Sequence, residues 1–493
     1  MVALLERPSA PPSVQPDTPL PMSELVIVAN RLPIQRSRQI DGGWSASPGG
    51  LAATLSQALA EREEERGVTW VGWSGEAGPC DELGANGAAE GIHLVALELG
   101  DDEIECFYHG FSNGTLWPLY HDVVRPPVYI RKWWDCYMAV NRRYAEMVAR
   151  HAAPGGSVWV HDYQLQLVPQ MLRELRPDLR IGFFLHIPHP PQELFMQLPW
   201  RRQIIEGLLG ADVVGFQVPV AAQNFAVLAR RLTSARGSLP KLTYEGRVVH
   251  VGPYPVSIDM TRFEDLARRP DVIAQSRLLR EQLGNPRVLL AGVDRLDYTK
   301  GIEPRLQAFR ELLAERSISV PDVSMVQVAV PSRDHVAKYV EERERIEQLV
   351  GEINGDYGQM GAPAVHYLHR NLDLEDLVSL YIATDVMLVT PYRDGMNLVA
   401  KEYVASRVDD TGSLVLSEFA GAARELHAAV LVNPHDLDGL KEGILRAMRT
   451  PERDARRRMR VLRRAVSAWT ASDWADRFLM DLDGTPQASA PSG

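Results

Sequence analysis

Short apolar runs alternate with helical spacing along most of the chain. Residues 25–29 (Leu-Val-Ile-Val-Ala) form an unbroken apolar run, and after Gly49 and Gly50 the positions Leu51, Leu55, Ala58 and Leu59 follow helical spacing. Further runs fall at 158–161, 181–186 and 212–216. A second series follows at 288–293, 325–330, 365–368, 385–389, 414–417 and 429–432, with helical patterns between most of them. Fully apolar strands alternating with helices predict parallel sheets covered on both faces. Two such series predict an α/β chain of two Rossmann-like domains facing a central cleft. The expected division is 22–257 and 258–466, with the boundary near 255–259. Residues 467–482, with Trp469, Trp474, Phe478 and Leu479, predict an amphipathic helix packing back on the first domain. Residues 1–21 carry Pro8, Pro11, Pro12, Pro16, Pro19 and Pro21 and read as a disordered leader, with Met22 a candidate start; 483–493 read as a disordered tail.

Composition narrows the function. The 493 residues carry 53 Lys+Arg against 64 Asp+Glu, a net charge of −11. That balance argues against a nucleic-acid partner, which needs a broad basic field, but leaves room for a small basic pocket. The three cysteines, Cys80, Cys106 and Cys136, contain no CxxC and predict neither a disulfide framework nor a metal site. No apolar stretch is long enough for a bilayer and no secretory pattern opens the chain, so no membrane partner is expected and the cytoplasm is the expected location.

In parallel α/β sheets, ligands bind beyond the carboxyl ends of the strands. Those ends carry Asn30-Arg31, His161-Asp162, His186, Asp294-Arg295, Ser332-Arg333 and 392–395 (Tyr-Arg-Asp-Gly). The loop 294–301 places Arg295 and Lys300 where they could neutralise a departing diphosphate, though it reads equally as a solvated charged turn. Residues 394–402 read as a glycine turn opening a helix, whose first N–H groups favour an anion. Glu402, about two turns further on, could accept from ribose hydroxyls, or be an ordinary surface carboxylate. Arg31 and Arg333 could together clamp a phosphate monoester; each alone reads as a salt-bridge partner. The segment 108–118, with Tyr108 and Trp117, could stack on sugar faces or simply be core. Asp436 and Asp438 read as a helix cap, and no catalytic metal or other cofactor is expected.

These segments, in order, resemble the trehalose-6-phosphate synthase family, retaining glycosyltransferases of GT-B fold. The resemblance runs from about Glu24 to about Leu482. It rests on 29–32 (Ala-Asn-Arg-Leu), 72–76 (Gly-Trp-Ser-Gly-Glu), 111–118, 161–163 (His-Asp-Tyr), 183–188, 295–301 (Arg-Leu-Asp-Tyr-Thr-Lys-Gly) and 390–402 (Thr-Pro-Tyr-Arg-Asp-Gly-Met-Asn-Leu-Val-Ala-Lys-Glu). It implies transfer of glucose from a nucleoside diphosphate glucose to glucose 6-phosphate. By resemblance Arg31, Tyr108 and Arg333 hold the acceptor phosphate, Asp162 its hydroxyls, and Trp117 orients the sugar. Gly49 and Gly50 lie against the donor; His186 and Asp394 contact the transferred glucose. Arg295 and Lys300 neutralise the diphosphate with the backbone around Asn397, Leu398 and Val399, Ala400 and Lys401 complete the donor wall, and Glu402 binds ribose. The chemistry implied is a one-face reaction in which a donor phosphate oxygen takes the acceptor's proton, and activity is expected to need closure of the cleft. A homo-oligomer, dimer or tetramer, is also expected.

One departure matters. Residues 367–373 read Tyr-Leu-His-Arg-Asn-Leu-Asp, and many relatives carry an aromatic at the place of Leu372. This leaves the donor base (uridine, guanosine or adenosine) open, with contacts expected from Leu372 and nearby backbone. A pseudo-glycosyltransferase joining cyclitols, or a silent regulatory subunit, would lose several of these residues; this chain keeps Arg295, Lys300 and Glu402.

Overall fold

The computed structural model describes residues 22–36, 44–46, 55, 67–78, 80, 92–332 and 337–484. Gly49, Gly50 and Arg333 lie outside the described residues, as do both termini and most of the helical pattern after Gly50.

In the first half the strands are β1 (Ser23–Arg31), β2 (Ile34–Arg36), β3 (Trp44–Ala46), β4 (Val68–Trp73), β5 (Ile92–Ala96), β6 (Ala152–His161), β7 (Arg180–Leu185), β8 (Val213–Phe216), β9 (Arg236–Ser238), β10 (Lys241–Tyr244) and β11 (Arg247–Pro253). One sheet runs β5-β4-β1-β6-β7-β8-β11-β10-β9; it is parallel from β5 to β11, and an antiparallel hairpin adds β10 and β9 at the edge. In the second half β12 (Val288–Arg295), β13 (Val323–Val330), β14 (Val365–Leu368), β15 (Val386–Val389), β16 (Ser413–Ser417) and β17 (Val430–Val432) form an all-parallel sheet ordered β14-β13-β12-β15-β16-β17. Both orders place β1 or β12 in the interior and change winding direction there, which opens a crevice at their carboxyl ends.

The central strands are buried along nearly their whole length, as unbroken apolar runs require of a sheet covered on both faces. β4 and β5 are additions to the pattern: Thr69, Gly72 and His93 interrupt their apolar runs. β12 also runs on through Asp294 and Arg295, so these residues end the strand rather than follow it.

From Asp101 the chain is helical through Tyr120, and Ile104–Leu116 is wound in wide π turns. Gly110 and Gly114 let the Trp133 ring lie against the backbone; a Cβ on Gly110 would stand 2.7 Å from it. The same packing along Arg131–His151 joins Cys106 to Cys136, 30 residues apart, with Cα atoms 6.1 Å apart. This corrects the expectation of no disulfide: sequence spacing holds no trace of which helices meet.

The helix Ala471–Asp483 is capped by Thr470 and packs on the first sheet. Trp474, Phe478 and Leu482 share a core with Trp159 and Phe184, and Tyr254 donates to Asp481 at 2.7 Å. The preceding helix, Glu452–Ser467, buries Met459, Leu462 and Val466 against the second half. Among the described residues no helix is long and apolar enough to cross a membrane.

Candidate active site

β1 ends at Arg31, whose guanidinium lies 4.7 Å from the centre of the Trp73 ring and 5.5 Å from that of Tyr108. The rings meet edge-on at 5.6 Å. Gly75, at φ +100, lets the loop close over this cation: a Cβ there would stand 2.6 Å from Arg31 Nη1. Aromatic faces hold a guanidinium without consuming its N–H donors, so Arg31 is set up to meet an anion.

β6 ends at His161, and Asp162 follows at φ 73, a left-handed conformation rare outside glycine. The twist aims its carboxylate at the next strand end, where Oδ1 accepts from the His186 N–H at 3.2 Å. His186 Nε2 lies 3.1 Å from His161 Nδ1. Trp159, Phe184 and Trp474 surround the two rings. Burial pushes His186 down to about 3, and His161, with His186 beside it, well below its usual value. Both are therefore neutral hydrogen-bonding groups near pH 7.

On the opposite wall Asp297 accepts from Thr299 N at 3.0 Å and Thr299 Oγ1 at 2.9 Å, capping the tight turn Tyr298–Lys300. Gly301 closes it at φ +64, with room for no side chain: a Cβ would stand 2.2 Å from the Thr390 carbonyl oxygen. Lys300 Nζ meets Asp394 Oδ2 at 2.5 Å, and Asn397 Nδ2 reaches the same oxygen at 3.1 Å. Burial would raise the Asp394 carboxyl, but the Lys300 charge and these bonds outweigh it and hold it below its usual value. Asn397 caps the helix Leu398–Ser406 by accepting from Ala400 N at 3.3 Å. The helix's first N–H groups are thereby presented beside Lys300.

Glu402 stands about one turn into this helix, not two, because the helix begins only at Leu398. Tyr381 donates to its Oε2 at 2.9 Å, and burial raises the Glu402 carboxyl. Lys401 corrects the expectation: its ammonium is fully buried and turned away, donating to the Val256 carbonyl at 3.0 Å and pairing with Glu425 at 2.7 Å. That side chain ties the second half to the connection after β11 and is unavailable to a ligand. Leu372 is partly buried against the second core, just before the helix cap Asp373.

The walls touch. Arg295 lies with its guanidinium 5.4 Å from the centre of the Trp117 ring. A Cβ on Gly395 would stand 2.0 Å from the His186 carbonyl oxygen. The structure thus gathers Arg31, Tyr108, Trp117, Asp162 and His186 on one wall and Arg295, Lys300, Asp394, Asn397 and Glu402 on the other.

Two groups that sequence reasoning missed complete it. His121, buried, is 2.8 Å from the Trp117 carbonyl through Nδ1. Burial above all lowers it to about 4, and it feels Asp297, Lys300 and Asp394 across the cleft. Arg305, fully buried, donates to Asp294 at 2.5 Å, Gln327 at 2.9 Å, Thr390 Oγ1 at 3.0 Å and the Lys300 carbonyl at 3.4 Å. It fastens the lysine turn to the 390–397 loop. A signal existed: Arg305 lies on the helix face of Ile302 and Phe309, both apolar, where a solvated cation does not belong.

Two sheets with parallel strands thus bring cationic and aromatic strand ends together at one cleft. The model of glycosyltransferase family 20 matches residues 23–484. A trehalose-6-phosphate synthase of Mycobacterium marinum is 53% identical over 481 residues, covering 95% of each chain. One of Mycobacterium avium is 54% identical over 469 residues, 93% of this chain and 94% of that one. Among solved structures, the UDP-forming enzyme of Burkholderia xenovorans in complex with glucose-6-phosphate superposes with a TM-score of 0.85 at 33% identity, over 93% of this chain and 100% of that one. The E. coli protein bound with UDP-2-fluoro glucose gives 0.85 at 33% identity, over 94% and 100%. The chain belongs to glycosyltransferase family 20, the family of the trehalose-6-phosphate synthases, and is a glycosyltransferase of GT-B fold.

Proposed function

We propose that this chain transfers glucose from a nucleoside diphosphate glucose, UDP-glucose or GDP-glucose, to glucose 6-phosphate with retention, giving trehalose 6-phosphate and the nucleoside diphosphate. The observation that carries the reading is the contact of Arg295 with Trp117, which sets a leaving-group cation against the aromatic wall that would hold the acceptor. Arg31, Tyr108 and Arg333 hold the acceptor phosphate, while Asp162 and Trp117 fix its sugar. His186 and Asp394 hold the transferred glucose, with Gly49 and Gly50 against the donor. The diphosphate lies between Arg295, Lys300 and the N–H groups around Asn397, Leu398 and Val399, and Glu402 takes the ribose.

Negative charge grows on the diphosphate as the glycosidic bond breaks. Cations already fixed at that place stabilise the transition state more than the ground state, which is what accelerates the reaction. Retention through a glycosyl-enzyme would need a free carboxylate beneath the anomeric carbon. Asp394 is committed to Lys300, which favours approach and departure on one face with a diphosphate oxygen accepting the proton. The cytoplasm, where both substrates are made, is the proposed location, and a homo-oligomer the proposed state.

The test is nucleotide release from UDP-, GDP- and ADP-glucose with glucose 6-phosphate, and the anomeric configuration of the product by NMR. Release with a uridine or guanosine donor and an α,α product is expected; no release with any donor overturns the reading.

A further inference from the structure

The turn after Trp117 is strained. Asp122 and Val123 have φ 55 and 57, and a β-branched residue in the left-handed region is an outlier that surrounding structure must hold. The turn is well tied to the acceptor-side segment: Val123 N donates to the Pro118 carbonyl at 2.9 Å, Val128 N to that of Gly114 at 2.9 Å, and Thr115 Oγ1 to that of Val128.

What the strained turn delivers lies across the cleft. Arg125 Nη2 pairs with Glu342 Oε2 at 2.8 Å and Nη1 with Glu341 Oε2 at 3.4 Å, both on the helix Ala337–Tyr357. The Glu342 side chain is only 6% exposed, so this pair is shielded from salt in a way surface pairs are not. The same guanidinium lies 5.1 Å from the centre of the Tyr298 ring, between Arg295 and Lys300 in sequence. Asp122 pairs with Arg393 at 3.4 Å, immediately before Asp394. Lys338 Nζ adds a bond to the Pro126 carbonyl at 3.2 Å. One short turn therefore grips both loops that carry the leaving-group residues.

We propose that residues 122–125 form a two-pronged clasp: Asp122 and Arg125 are positioning residues that hold the loops bearing Arg295, Lys300 and Asp394 in register with the acceptor wall. The inference rests on the functional reading above. Neither side chain is assigned to substrate. Each acts through a neighbour: Arg125 through Tyr298, Glu341 and Glu342, and Asp122 through Arg393. Misplacement by about 1 Å of groups that stabilise a transition state costs on the order of a hundredfold in rate, and backbone strain is kept where such placement matters.

The test uses the full chain with Arg125→Ala, Asp122→Asn and the double variant. Arg125→Ala is expected to lower kcat about ten- to a hundredfold while the Kd for the free nucleoside diphosphate changes less than about threefold. Arg125→Lys, which keeps the charge and loses the planar fork, is expected to recover only part of the loss. Hydrogen exchange is read on the same proteins. The double variant is expected to speed exchange at 296–300 and 392–397, leaving the β12 and β15 amides protected. A kcat within twofold of wild type overturns the proposal, as does a fall in kcat matched by equal loss of nucleotide affinity, or unchanged exchange in both loops. A wild type that releases no nucleotide strikes the functional reading alone, because the exchange experiment needs no turnover and still decides the clasp.

Discussion

The two walls of the cleft are made of different chemistry. The wall on the first sheet is mostly aromatic: Trp73 and Tyr108 flank the cation Arg31, Trp117 lies further along, and His161 and His186 are held uncharged by burial. The wall on the second sheet is ionic, and two of its buried cations are already committed: Lys300 to Asp394 and Arg305 to Asp294. On the proposed reading, a sugar phosphate meets Arg31 through its charge and takes its orientation from the aromatic faces of the first wall. On the same reading, a departing diphosphate gains charge during the reaction and meets fixed counter-charge on the second. On that reading most of the fixed charge sits where charge develops, in buried ion pairs that stay intact only as complete networks.

The ionic wall should therefore be the fragile one when a member is removed. Arg305→Ala leaves the Asp294 carboxylate buried without its partner, and breaking such a pair costs about 3–5 kcal/mol. Arg142→Ala, in an exposed pair with Glu174 at 3.4 Å, should cost less than about 1 kcal/mol. Urea unfolding of the two variants checks the contrast; equal midpoints would erase it.

Lys300→Ala comes next. Loss of one fixed charge from a developing anion is expected to lower kcat by about a hundred- to a thousandfold, with a far smaller change in the acceptor KM. Steady-state kinetics decides it: equal kcat in mutant and wild type removes Lys300 from the transition state.

Much of this was legible in the sequence, for physical reasons. Most strands of the second half are dominated by apolar residues because both faces of the sheet's centre are buried, and every predicted run there overlaps an observed strand. The rule that ligands sit beyond strand carboxyl ends picked out Arg31, Asp162, His186, Arg295 and Asp394; of these Asp162 bonds the His186 N–H, and Gly395, next to Asp394, abuts the His186 carbonyl. β4 and β5 escaped because Thr69, Gly72 and His93 break their periodicity. The π turns of Ile104–Leu116 escaped because Gly110 and Gly114 look like loop punctuation until Trp133 is seen against them. His121 and Lys401 owe their roles to partners far along the chain. Lys401 sits in a motif that suggests a ligand contact, yet its ammonium goes to Val256 and Glu425. Neighbours in sequence could not reveal that direction.

Acid should expose the first wall. His121 is lowered to about 4, His186 and His189 to about 3, and His161 well below its usual value, all chiefly by burial. In the unfolded chain each returns to about 6.5. Between those values the unfolded chain binds more protons than the folded one, so stability falls as pH drops from about 6.5 toward 4 and is flat above about 7. Each histidine contributes a slope of up to about 1.4 kcal/mol per pH unit. All four lie in the first half, whose amides should lose hydrogen-exchange protection first on acidification. A urea midpoint constant from pH 7.5 to 5 contradicts this account.

The smallest effect separates the walls most sharply. Glu402, a carboxylate of the ionic wall, accepts from the Tyr381 hydroxyl. If it takes ribose hydroxyls in the complex, Glu402→Gln replaces a charged acceptor by a neutral one, and a hydrogen bond to a charged group is worth about 1.5–3 kcal/mol. The expected result is a Kd for the nucleoside diphosphate weakened about tenfold, with the acceptor KM unchanged. Stability should rise slightly or hold, because burial already disfavours the Glu402 charge. The control is a nucleotide lacking ribose hydroxyls. Wild type should lose affinity for it relative to the natural nucleotide, whereas Glu402→Gln should lose much less. Equal losses in both proteins would place the ribose elsewhere and return Glu402 to a purely structural partnership with Tyr381.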